Sequence, residues 1–389
     1  LTGLPQGDPS APGEPNAELL EIASFWNTGF DSLTLPDDPS LYLSSGPYIV
    51  SDVEESASVT LVKNEAYTGD RVGQIDTIVM RTIGDATAQV QALQNGDVDI
   101  IAPQASADTI TALEAIDGVT VHRGQQMAYD HLDLFFPGVS TIGGWDEPYD
   151  GPFTDPVVRE AFLKTVPRGA ILNAIITPLD PEAGVLNSQI LVPSNGESYT
   201  TAVANNGSDA FPDAPDIEGA RELLAGATPT VTILYNRDNP NRVDAFTLIA
   251  ASATEAGFNV VDGGAAGDEW GAALGTPGYD AQIFGWISSG VGVGGVPQIF
   301  GSTGGGNYNG YSNPEVDTLA QQLQVTTDAA EQVEIQVQID ALLWADAYGV
   351  PFFQSVGVDA VRDRVQGIDF FYPGQSGVWW NVWEWSVTD

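Results

Sequence analysis

The chain has 389 residues, which is enough for two or three domains with cores of their own, and its apolar content is typical of a globular protein. The 53 acidic and 12 basic residues give a net charge of −41, which repels nucleic acid and anionic membrane surfaces, so nucleic-acid binding is excluded. The absence of cysteine excludes disulfides and thiolate metal sites, and no apolar run reaches the length of a membrane span.

The acidic residues are scattered along the whole chain. They could form a surface suited to cationic ligands, or the solvated surface of a secreted protein from a salt-tolerant or high-GC source. The scatter favours the second interpretation. The chain begins at Leu1 in a run rich in Pro, Gly and Ser, so we expect a processed or truncated product with a flexible lead-in over residues 1–16.

The pattern between residues 46 and 101 predicts an α/β unit. An apolar strand at 75–83 precedes Asp85, whose carboxylate can cap the free N–H groups of a helix start. Apolar residues then repeat at helical spacing until Gly96, which favours a left-handed helix stop. A strand at 98–101 would complete a β-α-β unit.

The later elements are marked by caps, apolar stripes and glycine stops, and helices alternate with strands, which predicts the α/β class. A first helix is expected at 17–25, before this unit. Helices are predicted at 108–115, from Asp155 and Pro156, from Pro167 to Ile176, from Val243 to a stop at Gly257, at 315–323 and at 328–345. Strands are predicted at 119–122, 127–136, 230–235, 258–261 and, by alternation of its tryptophans, 379–385.

Three segments in order carry a resemblance to a known family. They are Gly-Pro-Tyr-Ile-Val at 46–50, Lys-Asn-Glu-Ala-Tyr at 63–67, and the helix Asp-Ala-Thr-Ala-Gln-Val-Gln-Ala-Leu-Gln-Asn-Gly-Asp that starts at Asp85. This order resembles the signature region of the family 5 extracellular solute-binding proteins, the peptide- and nickel-binding components of ABC importers. Thr68 stands where the family usually has Trp, and Gly84 where it usually has Pro.

The resemblance extends from Gly46 to the C-terminus and implies a class II periplasmic-binding-protein architecture with two α/β lobes. It also implies a helix at 216–224 and strands at 279–286 and 350–354. Two crossing strands would join the lobes near 128–135 and 353–358. The resemblance implies that lobe I consists of residues 1–130 with a return segment at 356–389, and that lobe II consists of residues 131–355.

Full-length members carry a long additional N-terminal segment that has no counterpart in this chain. We therefore expect lobe I to be incomplete, with uncovered apolar sheet surface near 46–50 and 59–62. Either self-association or the missing N-terminal segment of the same protein would fill this surface.

The implied function is that of an extracellular or periplasmic solute receptor, secreted or anchored as a cell-surface lipoprotein. It would close on an oligopeptide-like ligand and deliver it to the membrane subunits of an ABC permease. A carbohydrate or metallophore receptor on the same scaffold stays open, because fold does not fix ligand. A carboxylate-dependent hydrolase is less favoured, since no nucleophile-base set is visible. We expect no enzyme activity, no cofactor and no metal site.

Arg237 follows the strand at 230–235, and its planar guanidinium is suited to a ligand carboxylate. The resemblance implies the same role, because peptide-binding members use an Arg of this loop, although a surface ion pair is the alternative. Trp286 ends a strand at the expected cleft and could stack on ligand atoms or pack in the core. Peptide binders commonly have an Asp three residues after this Trp, where this chain has Ser289. Ser288 and Ser289 would therefore offer neutral hydrogen bonds.

Tyr129 and Asp130 lie at the first expected crossing, and Gln354 at the second; all three are ligand-binding candidates. Asp130 could pair with an ammonium group. The neighbouring His131 and Asp133 invite a metal or acid-base interpretation, but alternate strand residues face opposite sides, so Asp130 and His131 should not converge.

Two loops complete the candidates. The acidic turn at 146–151 lacks EF-hand spacing, and we interpret it as solvated rather than as a calcium site. The glycine-rich run at 290–306 lacks the Lys-Ser/Thr of a phosphate-binding loop, which favours a mobile loop at the cleft edge.

Overall fold

The computed structural model describes residues 17–141, 145, 147–287 and 293–388. The described residues of Leu1–Asp99, Arg362–Asp369 and Asn381–Asp389 form one compact unit, here unit 1. Ile100–Val361 and Phe370–Trp380 form a second, here unit 2. The expected lead-in at 1–16 lies outside the described residues.

The described α-helices are numbered in chain order. They are α1 Ala17–Thr28, α2 Ala86–Asn95, α3 Ala107–Glu114, α4 Pro156–Lys164, α5 Arg168–Ile175, α6 Glu197–Val203, α7 Ile217–Leu224, α8 Pro240–Ala256, α9 Gly267–Ala273, α10 Gly295–Phe300, α11 Pro314–Val325 and α12 Ala329–Ala345. Short 3₁₀ segments occur at Pro39–Leu41, Pro152–Thr154, Pro193–Asn195, Ser208–Ala210 and Gly377–Glu384.

The described strands are numbered in the same way. They are β1 Tyr48–Glu54, β2 Ser58–Lys63, β3 Thr77–Arg81, β4 Ile100–Ile101, β5 Val119–Leu134, β6 Thr230–Tyr235, β7 Asn259–Asp262, β8 Ala281–Ile287, β9 Gly349–Arg362, β10 Val365–Gln366 and β11 Ser386–Val387. Helices and strands alternate through unit 2, so the expected α/β class is confirmed.

The caps of α2 and α4 fall where the sequence predicts them. The Asp85 carboxylate accepts a hydrogen bond from the Ala88 N–H at the start of α2, and Gly96 ends that helix with φ 82°. Asp155 accepts from the Val157 N–H at the start of α4, as predicted. Asp216, which was not predicted as a cap, accepts from the Gly219 N–H at the start of α7. Local side-chain chemistry therefore sets these helix ends.

One of the two predicted β-α-β units is present, and the prediction of the other is wrong. Strands β6 and β7 pair in parallel on either side of α8, as predicted. Strand β3 instead pairs antiparallel with β2 in a three-stranded sheet, whereas β4 pairs with β9 in another sheet. Periodicity identifies each strand, but it does not identify the strand with which it pairs.

A six-stranded sheet with the order β4-β9-β5-β8-β6-β7 is the centre of unit 2. Strand β5 merges the two strands predicted at 119–122 and 127–136, and it runs antiparallel to β8. Strand β8 pairs in parallel with β6. The side chains of Leu132, Ile233 and Ile283 are fully buried in the core beside this sheet.

Two local predictions are wrong. The glycine-rich run at 290–306 contains α10, because Val296 and Phe300 pack into a buried cluster with Leu343 and so fix this segment as a helix. The tryptophan-rich segment at 379–385 lies in 3₁₀ structure interrupted at Asn381, not in a strand. Here the side-chain amide of Asn381 donates to the Gly367 carbonyl and accepts from the Trp385 indole N–H, which holds the chain in a tight turn.

The three-stranded sheet of unit 1 has one apolar face. The pairing register places six apolar side chains on that face: Val50 and Val53 of β1, Val59 and Leu61 of β2, and Ile78 and Met80 of β3. None of the six is buried, and Met80 is 40% exposed. Apolar surface of this kind commonly marks an interaction site. That the chain self-associates through this face, or that another segment fills it, stays a prediction.

Asp359 of β9 is a buried carboxyl group in unit 2. Asp359 is 3% exposed, and its Oδ2 atom has no hydrogen-bond partner in the part of the chain that the structure describes. Burial raises the pKa of this carboxyl from 3.8 to about 6. Folding therefore favours the protonated form of Asp359 between pH values of about 4 and 6.

We expect the free energy of unfolding to fall as the pH rises from about 4 to 6, because the unfolded chain releases this proton first. Asp359→Asn should remove this decline, so the free energy of unfolding of the variant gains about 2 kcal/mol over that of the wild type at pH 7 relative to pH 4. Urea unfolding of both proteins across this range measures the difference, with Asp363→Asn as a matched exposed control. If the difference in free energy of unfolding between the wild type and Asp359→Asn does not change with pH, the raised pKa assigned to Asp359 is wrong.

Candidate functional site

The cavity that forms the candidate site lies within unit 2 and has a volume of about 520 Å³. Its walls come from β5, β8, the segment at 189–195, α10 and α12, with Gln375 at its edge. This volume lies in the range typical of small-molecule sites. The cavity is therefore large enough for a small ligand or for one segment of a larger ligand.

Two aromatic residues on neighbouring strands form one wall. Tyr129 of β5 is paired directly with Trp286 of β8, and both line the cavity. Met127 also lines it, two residues before Tyr129 on the same strand face. The cross-strand register therefore places both aromatic candidates from the sequence at one surface.

The ring of Trp286 is already packed against protein aromatics. Its plane is nearly parallel to the ring of Tyr308, at 5.4 Å between centroids, and to the ring of His131, at 6.4 Å. The edge of Phe284 meets it at 5.2 Å. The indole Nε1–H is buried without a hydrogen-bond partner among the described residues. Trp286 is half-buried and lines the cavity, so the part of its side chain that a ligand can reach is the ring and not the buried Nε1.

A buried carboxylate holds the wall segment at 189–192 in place. Asp340 Oδ1 accepts from the Gln189 backbone N–H at 2.9 Å, and Oδ2 accepts from the Asn206 side-chain amide at 2.8 Å. Burial raises the pKa of the Asp340 carboxyl to about 6, although these hydrogen bonds act in the opposite direction. The Tyr129 hydroxyl donates to the Gln189 carbonyl at 2.6 Å, and burial raises the pKa of Tyr129 well above its usual value, so this donor stays protonated.

Side-chain oxygens also accept hydrogen bonds from the backbone N–H groups in the rest of this segment. Ser188 Oγ accepts from the N–H groups of Ile190 and Leu191 at 3.2 and 3.0 Å. Asn195 Oδ1 accepts from the Val192 N–H at 2.8 Å. Because its backbone donors are paired within the protein, this wall is preorganised and presents mainly side chains to the cavity.

Other polar side chains of the lining have no such partner. Within the described ranges, no hydrogen bond is formed by the side chains of Ser198, Gln298, Gln336 and Gln375, all of which line the cavity. The remaining wall is mostly apolar: Met127, Ile190, Leu191, Val192, Ile287, Val293, Val296, Ile299, Phe300 and Val333. The cavity therefore combines unpaired neutral donors and acceptors with aliphatic surface.

The other candidates from the sequence lie elsewhere. Asp130 faces the opposite side of β5 from Tyr129, and its Oδ2 lies 3.6 Å from the Arg242 Nε. A Cβ at Gly285 would overlap the Asp130 carboxylate, so glycine permits this approach. Gln354 does not line the cavity; it donates to the Gln126 carbonyl at 2.7 Å and contacts the Ser194 hydroxyl at 2.6 Å.

The Arg237 guanidinium is half exposed and donates to Asp262 Oδ1 at 3.1 Å. Arg237 is not part of the cavity lining. Its expected role towards a ligand carboxylate stays a prediction, and such a ligand would have to compete with Asp262. Ser288 and Ser289 lie outside the described residues.

His131 and Asp133 form a buried pair behind the aromatic wall. His131 Nδ1 lies 2.7 Å from Asp133 Oδ1, and the Tyr348 hydroxyl donates to Asp133 Oδ2 at 3.3 Å. Asp130 and His131 point to opposite faces of β5, as strand alternation predicts. No group of three or more metal-ligating side chains is found in the portion of the chain covered by the structure.

Sequence reasoning missed the amide-bearing residues of the cavity. Gln189, Gln298 and Gln336 are far apart in sequence and carry no motif. One signal was available in α12, where Gln336 and Asp340 are four residues apart on the buried side of the helix, beside Ile339. Polar residues within a buried apolar stripe must have partners or a ligand, and here Asp340 has partners and Gln336 has none.

Among the described helices, none is both long enough and apolar enough to cross a membrane.

Comparison with solved structures shows the fold. A periplasmic EDTA-binding protein, EppA, superposes with a TM-score of 0.76 over 89% of this chain and 65% of its own, at 22% sequence identity. The expected solute-binding fold class is confirmed by this similarity.

Comparison with curated sequences gives the relatives. An uncharacterised lipoprotein of Mycobacterium tuberculosis is 24% identical over 385 residues, which is 94% of this chain and 62% of that protein. The oligopeptide-binding protein OppA of the same species is 23% identical over 342 residues, 83% of this chain and 53% of OppA. The chain thus spans less than two thirds of the length of these relatives.

Residues 9–308 match the family described as bacterial extracellular solute-binding proteins, family 5 Middle. This match covers well over half of the chain, and it includes the signature region in which the resemblance was found. The chain belongs to the family 5 bacterial extracellular solute-binding proteins.

Proposed function

We propose that this protein is the solute receptor of an ABC importer and that it binds an oligopeptide-like ligand, part of which enters the cavity of unit 2. The observation that carries the proposal is a preorganised cavity of about 520 Å³ in a chain that belongs to a solute-binding family. Its aliphatic wall and unpaired amides suit a peptide, which has apolar side chains and both hydrogen-bond donors and acceptors.

The names of similar proteins support a proposal for where this protein is located and for its partner in the membrane. Lipoproteins and an oligopeptide-binding protein are among the relatives. We therefore propose a secreted protein, either lipid-anchored at the cell surface or periplasmic, that delivers its ligand to the membrane subunits of a permease. The acidic surface, with its net charge of −41, is compatible with either setting.

A metallophore receptor is the second candidate. It is favoured by the similarity to EppA, whose name describes binding of the chelator EDTA. Metal complexes of EDTA are anionic, and the described cavity lining offers them no cationic side chain. The geometry therefore supports the peptide proposal better than the chelate.

We also propose that the protein does not catalyse a reaction. His131 and Asp133 are the nearest acid-base pair to the cavity, but neither lines it. A hydrolase needs a nucleophile or an activated water in reach of its base and of the substrate. The buried position of this pair, 2–3% exposed, is better suited to packing than to proton transfer with a ligand.

The ligand class can be tested by thermal shift with short peptides, sugars and metal chelates, each at millimolar concentration. We expect peptides to raise the melting temperature and to be recovered intact by mass spectrometry after long incubation, because a ligand that binds only the folded state stabilises it. Stabilisation by sugars or chelates alone would contradict the peptide proposal. Cleavage of a bound peptide, lost on His131→Ala, would contradict the receptor proposal.

Arg237 provides a separate test for a ligand carboxylate outside the cavity. Using acetylated tripeptides with a free C-terminus, Arg237→Ala should weaken binding by roughly two- to fivefold, because it removes the charge partner of the ligand carboxylate at a half-exposed, solvent-screened position. Asp262→Asn should strengthen binding, because it releases the guanidinium from its present partner.

Calorimetric titration measures both effects. Arg221→Ala is the matched control, since Arg221 forms a similar exposed pair with Glu218 and should not affect binding. If Arg237→Ala binds these tripeptides with wild-type affinity, Arg237 is a surface residue with no role in recognition.

A further inference from the structure

The cavity lining is uncharged in a protein whose net charge is −41. Charged residues make up 17% of the sequence, so about three of the 20 lining residues would be charged at that frequency. The described lining contains no Asp, Glu, Lys, Arg or His.

The buried carboxylates of Asp340 and Asp133 already form hydrogen bonds within the protein. Asp340 lies behind the wall and is bonded to the Gln189 N–H and the Asn206 amide. Asp133 is bonded to His131 and Tyr348. A charged ligand group in the cavity would therefore lose its hydration without gaining an opposite charge, which is strongly unfavourable.

The unpaired polar groups match amides. The carboxamides of Gln298, Gln336 and Gln375 can each donate and accept, as a peptide group does.

We propose that this cavity selects an uncharged segment of its ligand, one that combines amide groups with aliphatic side chains, and that it rejects charged side chains at this position. The inference rests on the proposed peptide-receptor function and specifies which part of a peptide the cavity takes. Gln336 and Gln298 are the specificity-determining residues, since they offer neutral hydrogen bonds where an acid or base would select a charge.

The test uses tripeptides that are acetylated and amidated, so that only the central side chain varies between leucine, glutamine, glutamate and lysine. Calorimetry should show that the leucine and glutamine probes bind at least about 30-fold more tightly than the glutamate and lysine probes. Gln336→Glu should reverse part of this order by strengthening the lysine probe at least about tenfold and weakening the neutral probes. Gln338→Glu, on the exposed side of the same helix, is the matched control and should change nothing.

Circular dichroism checks that each variant is folded, and Gln298→Glu replaces Gln336→Glu if that variant is not. Equal or tighter binding of a charged probe overturns the inference while leaving the peptide-receptor proposal intact. Failure of the neutral probes to bind at millimolar concentration also overturns it. Binding of sugars or chelates alone in the broader panel would instead reject the peptide proposal itself.

Discussion

The pairing register between β5 and β8 is the constraint on which the site depends. It places Tyr129 opposite Trp286 and His131 opposite Phe284, so that four rings share one face of the sheet. Because side chains alternate along a strand, a slip of one residue would turn Tyr129 away and direct the charged Asp130 into the cavity. An uncharged cavity in this acidic chain therefore follows from the register of one strand pair.

The second constraint is a buried carboxylate in an apolar helix stripe. Asp340 is 1% exposed, and its burial is unfavourable unless its oxygens are hydrogen bonded. Its bonds to the Gln189 N–H and the Asn206 amide fix the wall segment relative to α12, while the Tyr129 hydroxyl fixes the same segment relative to β5. The cavity is thus shaped by polar contacts that lie behind its surface, and the side chains that face a ligand remain neutral.

Much of the local structure could be predicted from the sequence, and the candidate site only in part. The Asp85 and Asp155 caps and the β6-α8-β7 unit were predictable because they depend on neighbouring residues. The separate sheets of β3 and β4 were not, since strand pairing is decided by distant partners. The cavity wall joins residues 189, 298, 336 and 375, which only tertiary folding brings together. Among the candidates that the structure describes, Tyr129 and Trp286 are the two that line it.

Hydrogen exchange, measured with and without a saturating blocked tripeptide that has a central leucine, tests the central claim most directly. If the unit 2 cavity is the ligand site, amide protection should increase in the wall segment at 189–192, in α10 and in the first half of α12. The apolar sheet of unit 1 and the far end of α8 should not change. Protection confined to regions outside these three segments, with the tripeptide demonstrably bound, would contradict the account.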